Sequence, residues 1–133
     1  MSADGSMVAG GDNWWKTSGQ TGIFGPFPGQ QDQTQAFGLS PDGQVAVGGA
    51  IKGSDPFGPT FHAFRWTAKT GMQDLRTAVQ SAGVKTANGW VVLTTADGVS
   101  ADGTVIVGYG LNPRTKAFPF GQWEPFRIVL PVP

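Results

Sequence analysis

The chain has no cysteine, a single histidine and a single glutamate, and only 14% of its 133 residues are charged. Without cysteine it can form no disulfide framework, and it has no thiolate to serve as nucleophile or metal ligand. Nine basic and nine acidic side chains give a net charge of zero. The electrostatic signature of a nucleic-acid-binding protein is therefore missing. Apolar runs are only a few residues long, which excludes a membrane-spanning helix of about 20 residues.

A short motif occurs three times along the chain. It consists of a serine, any residue and Asp-Gly, with a second glycine six positions after the aspartate, and its copies begin at Ser2, Ser40 and Ser100. The 21 glycines and 10 prolines are well above average usage and fit many tight turns between short strands. We therefore interpret the chain as a repeat protein.

The Asp-Gly pairs are predicted to be hairpin turns. Asp-Gly between alternating residues favours a type I′ turn, in which both central residues have positive φ. A calcium loop would need several acidic residues at alternate positions, and each of these aspartates stands alone before its glycine. We therefore predict no metal site and no cofactor, and a purely structural turn role for six residues: Asp4, Gly5, Asp42, Gly43, Asp102 and Gly103.

A strand is expected after each turn, and in the second and third copies a strand is also expected before it. The second copy predicts a hairpin of 36–39 against 44–48, a loop over 53–59 and a third strand over 61–67. Phe64 lies 24 residues after Ser40, and Phe27 lies 25 after Ser2, so a degenerate third strand is expected near Phe27. Further strands are predicted over 90–95, 104–108 and 124–130, with a loop over 111–116 before residues 117–120.

One short helix is predicted over 73–82. Met72, Leu75, Val79 and Ala82 have the spacing of one helical face. Gly83 follows directly, and glycine is the usual residue just beyond a helix C-terminus. The insertion of this helix explains why the second and third motifs are farther apart than the first and second.

The units predict an all-β fold of β-propeller type, with about three antiparallel blades; the alternative is a β-sandwich. We place the copies at 1–35, 36–95 and 96–133 of a single repeat domain. The first copy lacks the strand that precedes the serine in the other two, so we expect a fragment of a longer array. Three blades cannot close a ring, and self-association is therefore expected, for example with a second copy that completes six blades.

The order of the motifs resembles that of bacterial extracellular repeat proteins of the HAF family. The matching pieces are Ala36-Phe37, Ser40, Asp42-Gly43 and Val47-Gly48, followed by Ala63-Phe64-Arg65-Trp66 and Gly71-Met72-Gln73-Asp74-Leu75. The section from Leu75 to Tyr109, with the short helix, Gly89-Trp90 and the motif from Gly98 onward, resembles the last repeat of such proteins. In those repeats a Gly-x-Asn-Pro stretch, here Gly110-Leu111-Asn112-Pro113, precedes the terminal strand. The first copy lacks the Ala-Phe-x-Trp piece, and Pro125 stands where the family tends to have alanine. The resemblance implies a secreted, cell-surface or autotransporter-linked propeller-like domain, and it implies no reaction.

Few residues are candidates for chemistry. No nucleophile or orienting carboxylate can be placed beside His62, which is expected on a strand with a solvent-facing ring. Glu124 would need a facing aspartate to form a glycosidase pair. Arg65 and Arg127 hold equivalent positions, where an ion pair between repeats or a stem packed on an aromatic ring is favoured over an anion clamp. The chain is therefore predicted not to be an enzyme.

Tryptophan is the most suggestive residue type. Trp66 and Trp90 lie in strand patterns and are expected in the core. Trp14 and Trp15 are adjacent, so one of them must face outward in a strand. Exposed indoles stack on sugars, which makes Trp14, Trp15 and Trp123 candidate glycan-binding residues. The competing interpretation is that they cover an interface left by missing blades.

We therefore predict a non-enzymatic extracellular or cell-surface module with a structural or interaction role, and a carbohydrate-binding propeller lectin as the alternative. The predicted partners are a further copy of the chain, a glycan or another surface protein. Nucleic acid is not expected as a partner, nor is a membrane span.

Overall fold

The computed structural model describes residues 1–30, 33–55, 58–83, 92–112 and 122–131. These residues form ten strands in three antiparallel sheets and one short helix. The all-β prediction is confirmed. Among the described residues, no helix has the length and apolar character needed to cross a membrane.

Each sheet is an up-and-down meander in which strands adjacent in the chain are adjacent in the sheet. The first sheet contains β1 (Met7–Gly10), β2 (Asn13–Lys16) and β3 (Thr21–Ile23). The second contains β4 (Thr34–Leu39), β5 (Val45–Asp55), β6 (Gly58–Thr67) and β7 (Gly71–Asp74). The third contains β8 (Val92–Val99), β9 (Val105–Asn112) and β10 (Gln122–Val129), and the helix α1 (Leu75–Ser81) lies between the second and third sheets in sequence.

The motif sets the correspondence between sheets. Its turn joins β4 to β5 in the second sheet and β8 to β9 in the third, whereas in the first sheet it precedes β1 with no strand before it. Strands β1, β5 and β9 are therefore equivalent, and the pairing registers make β2, β6 and β10 equivalent as well. The first sheet lacks the counterpart of β4.

The prediction of a strand near Phe27 is wrong. Gly10 pairs with Asn13 in the first sheet, as Gly48 pairs with Phe64 in the second, so β2 is the third-strand equivalent. Phe27 lies after β3, outside any strand. The distance between Ser40 and Phe64 does not transfer to the first copy, because β5 and β6 are long, whereas β1 and β2 are short and only two residues connect them.

Other boundaries also differ from prediction. The loop expected over 53–59 is strand at both ends, because β5 continues to Asp55 and β6 begins at Gly58. The separate strands expected before the third motif form one strand, β8. The loop expected from 111 onward begins later, because β9 continues to Asn112. Trp90 and the segment 117–120 lie outside the described residues.

Two hydrophobic clusters show that the sheets stack face to face in chain order. One cluster joins the first sheet and the loop after it to the second sheet, through Met7, Phe24, Phe27, Ala46, Ala50, Phe64 and Trp66. The other joins the second sheet and helix to the third sheet, mainly through Val45, Val47, Leu75, Val79, Ile106, Phe126 and Ile128. The second sheet is therefore covered on both faces.

Strand alternation assigns each residue to a face. In β5, Ala46 belongs to the cluster shared with the first sheet, and its neighbours Val45 and Val47 belong to the cluster shared with the third. We call the side of a sheet toward the earlier sheet its preceding face, and the side toward the later sheet its following face. Within the described residues the three sheets form an open stack, and no closed ring of sheets is seen.

The helix is shorter than predicted, because residues 73 and 74 belong to strand β7 and the helix begins at Leu75. Met72 belongs to β7 and pairs with Trp66. Asp74 then caps the helix: its Oδ1 accepts hydrogen bonds from the backbone N–H of Arg76 at 3.0 Å and of Thr77 at 3.4 Å. Gly83, just beyond the helix, has a φ of 68°. Leu75 and Val79 of the helix are buried.

Candidate interaction faces

All three motif turns contain the same hydrogen-bond network. In the second copy, the Ser40 hydroxyl donates to Asp42 Oδ1 at 2.7 Å and accepts from the Val45 N–H at 3.0 Å. Asp42 Oδ1 also accepts from the Gln44 N–H at 3.0 Å. The same bonds form around Ser2 and Asp4 and around Ser100 and Asp102. The motif spacing is therefore a requirement of this turn.

The turn is not of type I′ as predicted. The Gly43 N–H donates to the Ser40 carbonyl oxygen at 2.9 Å, so Pro41 and Asp42 are the central residues. Proline holds φ near −65°, which a type I′ turn does not allow. Gly43, with φ of 71°, follows the turn in the left-handed region. This arrangement matches a type I turn followed by a left-handed glycine.

The turn aspartates are held in their charged form. Hydrogen bonds from the Ser100 hydroxyl, then from the Thr104 hydroxyl and N–H, lower the pKa of Asp102 from 3.8 to about 2. The pKa values of Asp4 and Asp42 are lowered by equivalent bonds. These carboxylates are engaged within their own turns, and in the described part of the chain no three His, Asp or Glu side chains gather as a metal site.

The adjacent tryptophans of β2 have different environments. Trp14 lies on the following face of the first sheet, where its ring centroid is 5.9 Å from that of Trp66. Lys16 Nζ lies 5.4 Å from the Trp14 ring centroid. Trp15 lies on the opposite face and is 46% exposed. Trp14 is therefore a packing residue, and Trp15 is the outward-facing one.

Trp15 is exposed at a position where the repeat buries a tryptophan. Val8 pairs with Trp15 in the first sheet, as Ala46 pairs with Trp66 in the second. Trp66 is only 7% exposed because the first sheet covers the preceding face of the second. In the part of the chain that the structure describes, no sheet covers the preceding face of the first sheet. We call its apolar surface, formed by Val8, Trp15 and Ile23, the preceding end face.

The third sheet shows the same difference at the other end of the stack. Val47 is fully buried between the second and third sheets, whereas its equivalent Val107 is 44% exposed. Trp123 is also exposed, and its ring meets that of Tyr109 edge to face at 6.5 Å. We call this surface, formed by Val107, Tyr109, Trp123 and Val129, the following end face.

Of the remaining candidate residues, only Arg127 lies on an end face. His62 is buried, so the predicted solvent-facing ring is wrong: it lies on the preceding face of the second sheet, which the first sheet covers. Glu124 holds the equivalent position in the third sheet. Arg127 is exposed on the following end face, where it pairs with Val107.

Arg65, the equivalent of Arg127, lies instead beside a cavity that is open to solvent. It is 7% exposed, and its Nε donates to Gln73 Oε1 at 3.3 Å. The cavity has a volume of about 480 Å³ and is lined by Arg65, Gln73 and Asp74, by Thr77 and Ser81 of the helix, and by apolar side chains. Within the described residues Arg65 has no carboxylate partner, so the expected ion pair is not found there.

Comparison with known proteins gives no family assignment, since no family model, curated protein or solved structure matches the chain. The HAF resemblance therefore stays a prediction. Functional inference has to come from the two end faces and the cavity. Sequence reasoning identified Trp15 and Trp123 as exposed candidates, but it missed Tyr109 and Val107, which only the sheet register places on the same face as Trp123.

Proposed function

We propose that the chain is a non-enzymatic interaction module that associates with a second copy of itself through its two end faces, as a β-propeller-type array. The observation that carries this proposal is the contrast between Trp15, 46% exposed, and Trp66, 7% exposed at the equivalent position. In the repeat, this position is buried wherever an earlier sheet is present. A second copy can supply that sheet.

Inside the chain, the following face of one sheet packs on the preceding face of the next. The two end faces are one face of each kind. The following face of the first sheet packs on the preceding face of the second, and the same relation joins the second sheet to the third. The following end face of one copy therefore suits the preceding end face of another. Joining two copies at both ends would give six sheets, within the range of about 4–8 blades in propellers.

Closure matters for the energetics of this assembly. Full burial of a large apolar side chain contributes about 1.5–3 kcal/mol, so a half-exposed one gains roughly half of that. Association costs about 4–15 kcal/mol of translational and rotational freedom. A ring pays this cost once and forms both interfaces, whereas a single head-to-tail contact leaves an open chain that can continue into filaments. We therefore favour a closed dimer.

The charges on the end faces are compatible with this contact. The residues that form the preceding end face are uncharged, and Lys16, next to Trp15 in β2, lies on the other side of the sheet over Trp14. The following end face carries Arg127. No like-charge pair opposes the contact. The extracellular or cell-surface location belongs to the same proposal, and it is supported by the low content of charged residues and the repeat resemblance.

The test is the solution mass by light scattering, with matched variants. We expect wild type at twice the 13.9 kDa of one chain. Trp15→Glu and Val107→Glu, one on each end face, should give folded monomers. Phe37→Glu is the control, because Phe37 is equally exposed but lies on β4 of the second sheet. A monomeric wild type would overturn the proposal, as would a Phe37→Glu variant that dissociates as completely as the others.

A carbohydrate-binding lectin is the second candidate, favoured by the exposed pair Tyr109 and Trp123. Edge-to-face rings leave one indole face open for a sugar. Trp14 is unsuitable because it is packed against Trp66, and Trp15 lies at the other end of the stack from Trp123. Retention of the wild type on a glycan column, lost in Trp123→Ala and kept in Trp15→Ala, would support a lectin. Equal retention of all three proteins would exclude this site.

A further inference from the structure

The side chain of Arg65 is buried, and no carboxylate of the described residues forms an ion pair with it. Its Nη1 is inaccessible to solvent and has no hydrogen-bond partner among the described residues. Burial also lowers the pKa of Arg65, although arginine stays protonated in proteins. A buried, unpaired charge is strongly unfavourable. A site with this property favours a ligand that brings the opposite charge.

The acidic residue in the same cavity is already engaged. Asp74 Oδ2 forms an ion pair with Lys52 Nζ at 2.7 Å, and Asp74 Oδ1 caps the helix. Asp74 therefore has little capacity left to neutralise Arg65. The neutral side chain of Gln73 holds Arg65 Nε, which fixes the guanidinium at the cavity wall.

We propose that the cavity beside Arg65 binds a small organic carboxylate. Binding requires the guanidinium to turn its buried Nη1 toward the pocket, where its fork matches the two oxygens of a carboxylate. The hydroxyls of Thr77 and Ser81 add polar groups on the helix side. Met72 and Leu130 provide an apolar wall for the body of the ligand. The volume of about 480 Å³ lies within the range of small-molecule sites.

The charge of Asp74 limits the class of ligand. A monocarboxylate carries a single charge and can direct it toward Arg65, with its apolar end toward Asp74, whereas a phosphate dianion carries twice the charge and is repelled more strongly by Asp74. The site lies between the second and third sheets of one chain and contains none of the end-face residues. It is therefore independent of the proposed association.

The test is an NMR titration of ¹⁵N-labelled protein that follows the Arg65 Nε–Hε signal. The probes are sodium benzoate, sodium acetate and inorganic phosphate, each against sodium chloride at equal ionic strength. Benzoate is expected to shift the signal saturably, with half-saturation in the ~millimolar range, because its ring fills the apolar wall. Acetate should bind more weakly, and phosphate should give no saturation.

Matched variants test whether the Arg65 guanidinium is the group that binds the carboxylate. Arg65→Lys keeps the charge but loses the fork, and should weaken benzoate binding about tenfold or more, followed at the N–H of Thr77. Arg127→Lys makes the same change at the equivalent exposed position and should leave the affinity unchanged. The proposal is overturned if benzoate gives no saturable shift in wild type, or if phosphate binds as well as benzoate. Equal affinities of Arg65→Lys and wild type would overturn it too.

Discussion

At the scale of single residues, the repeated serine and aspartate form one hydrogen-bonded unit. The serine hydroxyl links the aspartate to the N–H of the residue that opens the next strand, as with Ser100, Asp102 and Val105. The hydroxyl serves as donor and acceptor at once, which alanine cannot do. The unit is complete within six residues, which explains why it can be recognised in the sequence before the fold is known.

This unit predicts how stability responds to acid. The folded-state pKa of Asp102, about 2, lies below its ordinary value of 3.8. Its contribution to stability is therefore fully present above about pH 4 and is lost as the pH falls toward 2. We expect the thermal midpoint to decrease over this window, with Asp4 and Asp42 adding to the decrease, as measured by circular dichroism from pH 5 to pH 2.

Carboxyl NMR titrations of two variants separate the causes. Ser100→Ala should raise the pKa of Asp102 toward 3.8, because it removes the largest of the stabilising hydrogen bonds. Thr104→Val removes one hydroxyl donor and leaves the bonds that Asp42 has in the second copy, so it should raise the pKa less. An Asp102 pKa that stays near 2 in Ser100→Ala would contradict this explanation.

At the scale of elements, the second glycine of the motif is explained by the strand beside it. The strands that precede the motif in the second and third sheets are bulged at equivalent places, between Ala36 and Gly38 and between Ala96 and Gly98. In each strand the backbone carbonyl of the residue before the bulge, Gln35 or Thr95, lies close to the motif glycine. A Cβ on Gly108 would collide with the carbonyl oxygen of Thr95. Glycine is therefore required by contact with a neighbouring strand.

The motif glycine of the first sheet, Gly10, serves as a control, because no strand precedes the motif there. Gly108→Ala is expected to lower the free energy of unfolding by about 1–3 kcal/mol or more, since the added methyl group overpacks against backbone. Gly48→Ala should behave alike, because its Cβ would meet the carbonyl oxygen of Gln35. At Gly10 the nearest atom to an added Cβ is in the Trp15 ring, 3.8 Å away.

Gly10→Ala should therefore change stability by no more than about 0.5 kcal/mol. Urea denaturation of the three variants measures the differences. Similar losses at Gly10 and Gly108 would show that the strand contact is not the cause.

At the scale of the whole molecule, the main feature is a stack of three sheets with an exposed apolar face at each end. Its middle sheet is covered on both faces, and each outer sheet has one covered and one exposed apolar face. Solvent-exposed apolar patches of this kind commonly mark interaction surfaces. Their repeat equivalents are buried inside the same chain, which is why we propose a second copy as the partner.

Association through these faces predicts that stability depends on concentration. A dimer is stabilised by mass action, so its thermal midpoint should rise as the protein concentration is raised. Scanning calorimetry over a hundredfold range of concentration measures this shift. The Trp15→Glu variant should melt at one temperature throughout that range. A concentration-independent midpoint for wild type would argue against the closed dimer.

The sequence by itself determined what depends on neighbouring residues. Turn positions, the all-β class, the second-copy hairpin, the helix and its Gly83 end follow from local hydrogen bonding and from strand and helix periodicity. The exposure of Trp15 or Trp14, but not both, also followed from strand alternation.

Only the tertiary structure decided which faces are covered. It placed β2 in register with β6, which identified Trp15 as the equivalent of Trp66, where spacing had pointed to Phe27. It also buried Arg65 beside a cavity and exposed Arg127, although both follow the same motif. The physical reason is that burial depends on which sheet lies opposite, and this is a contact between residues far apart in the chain.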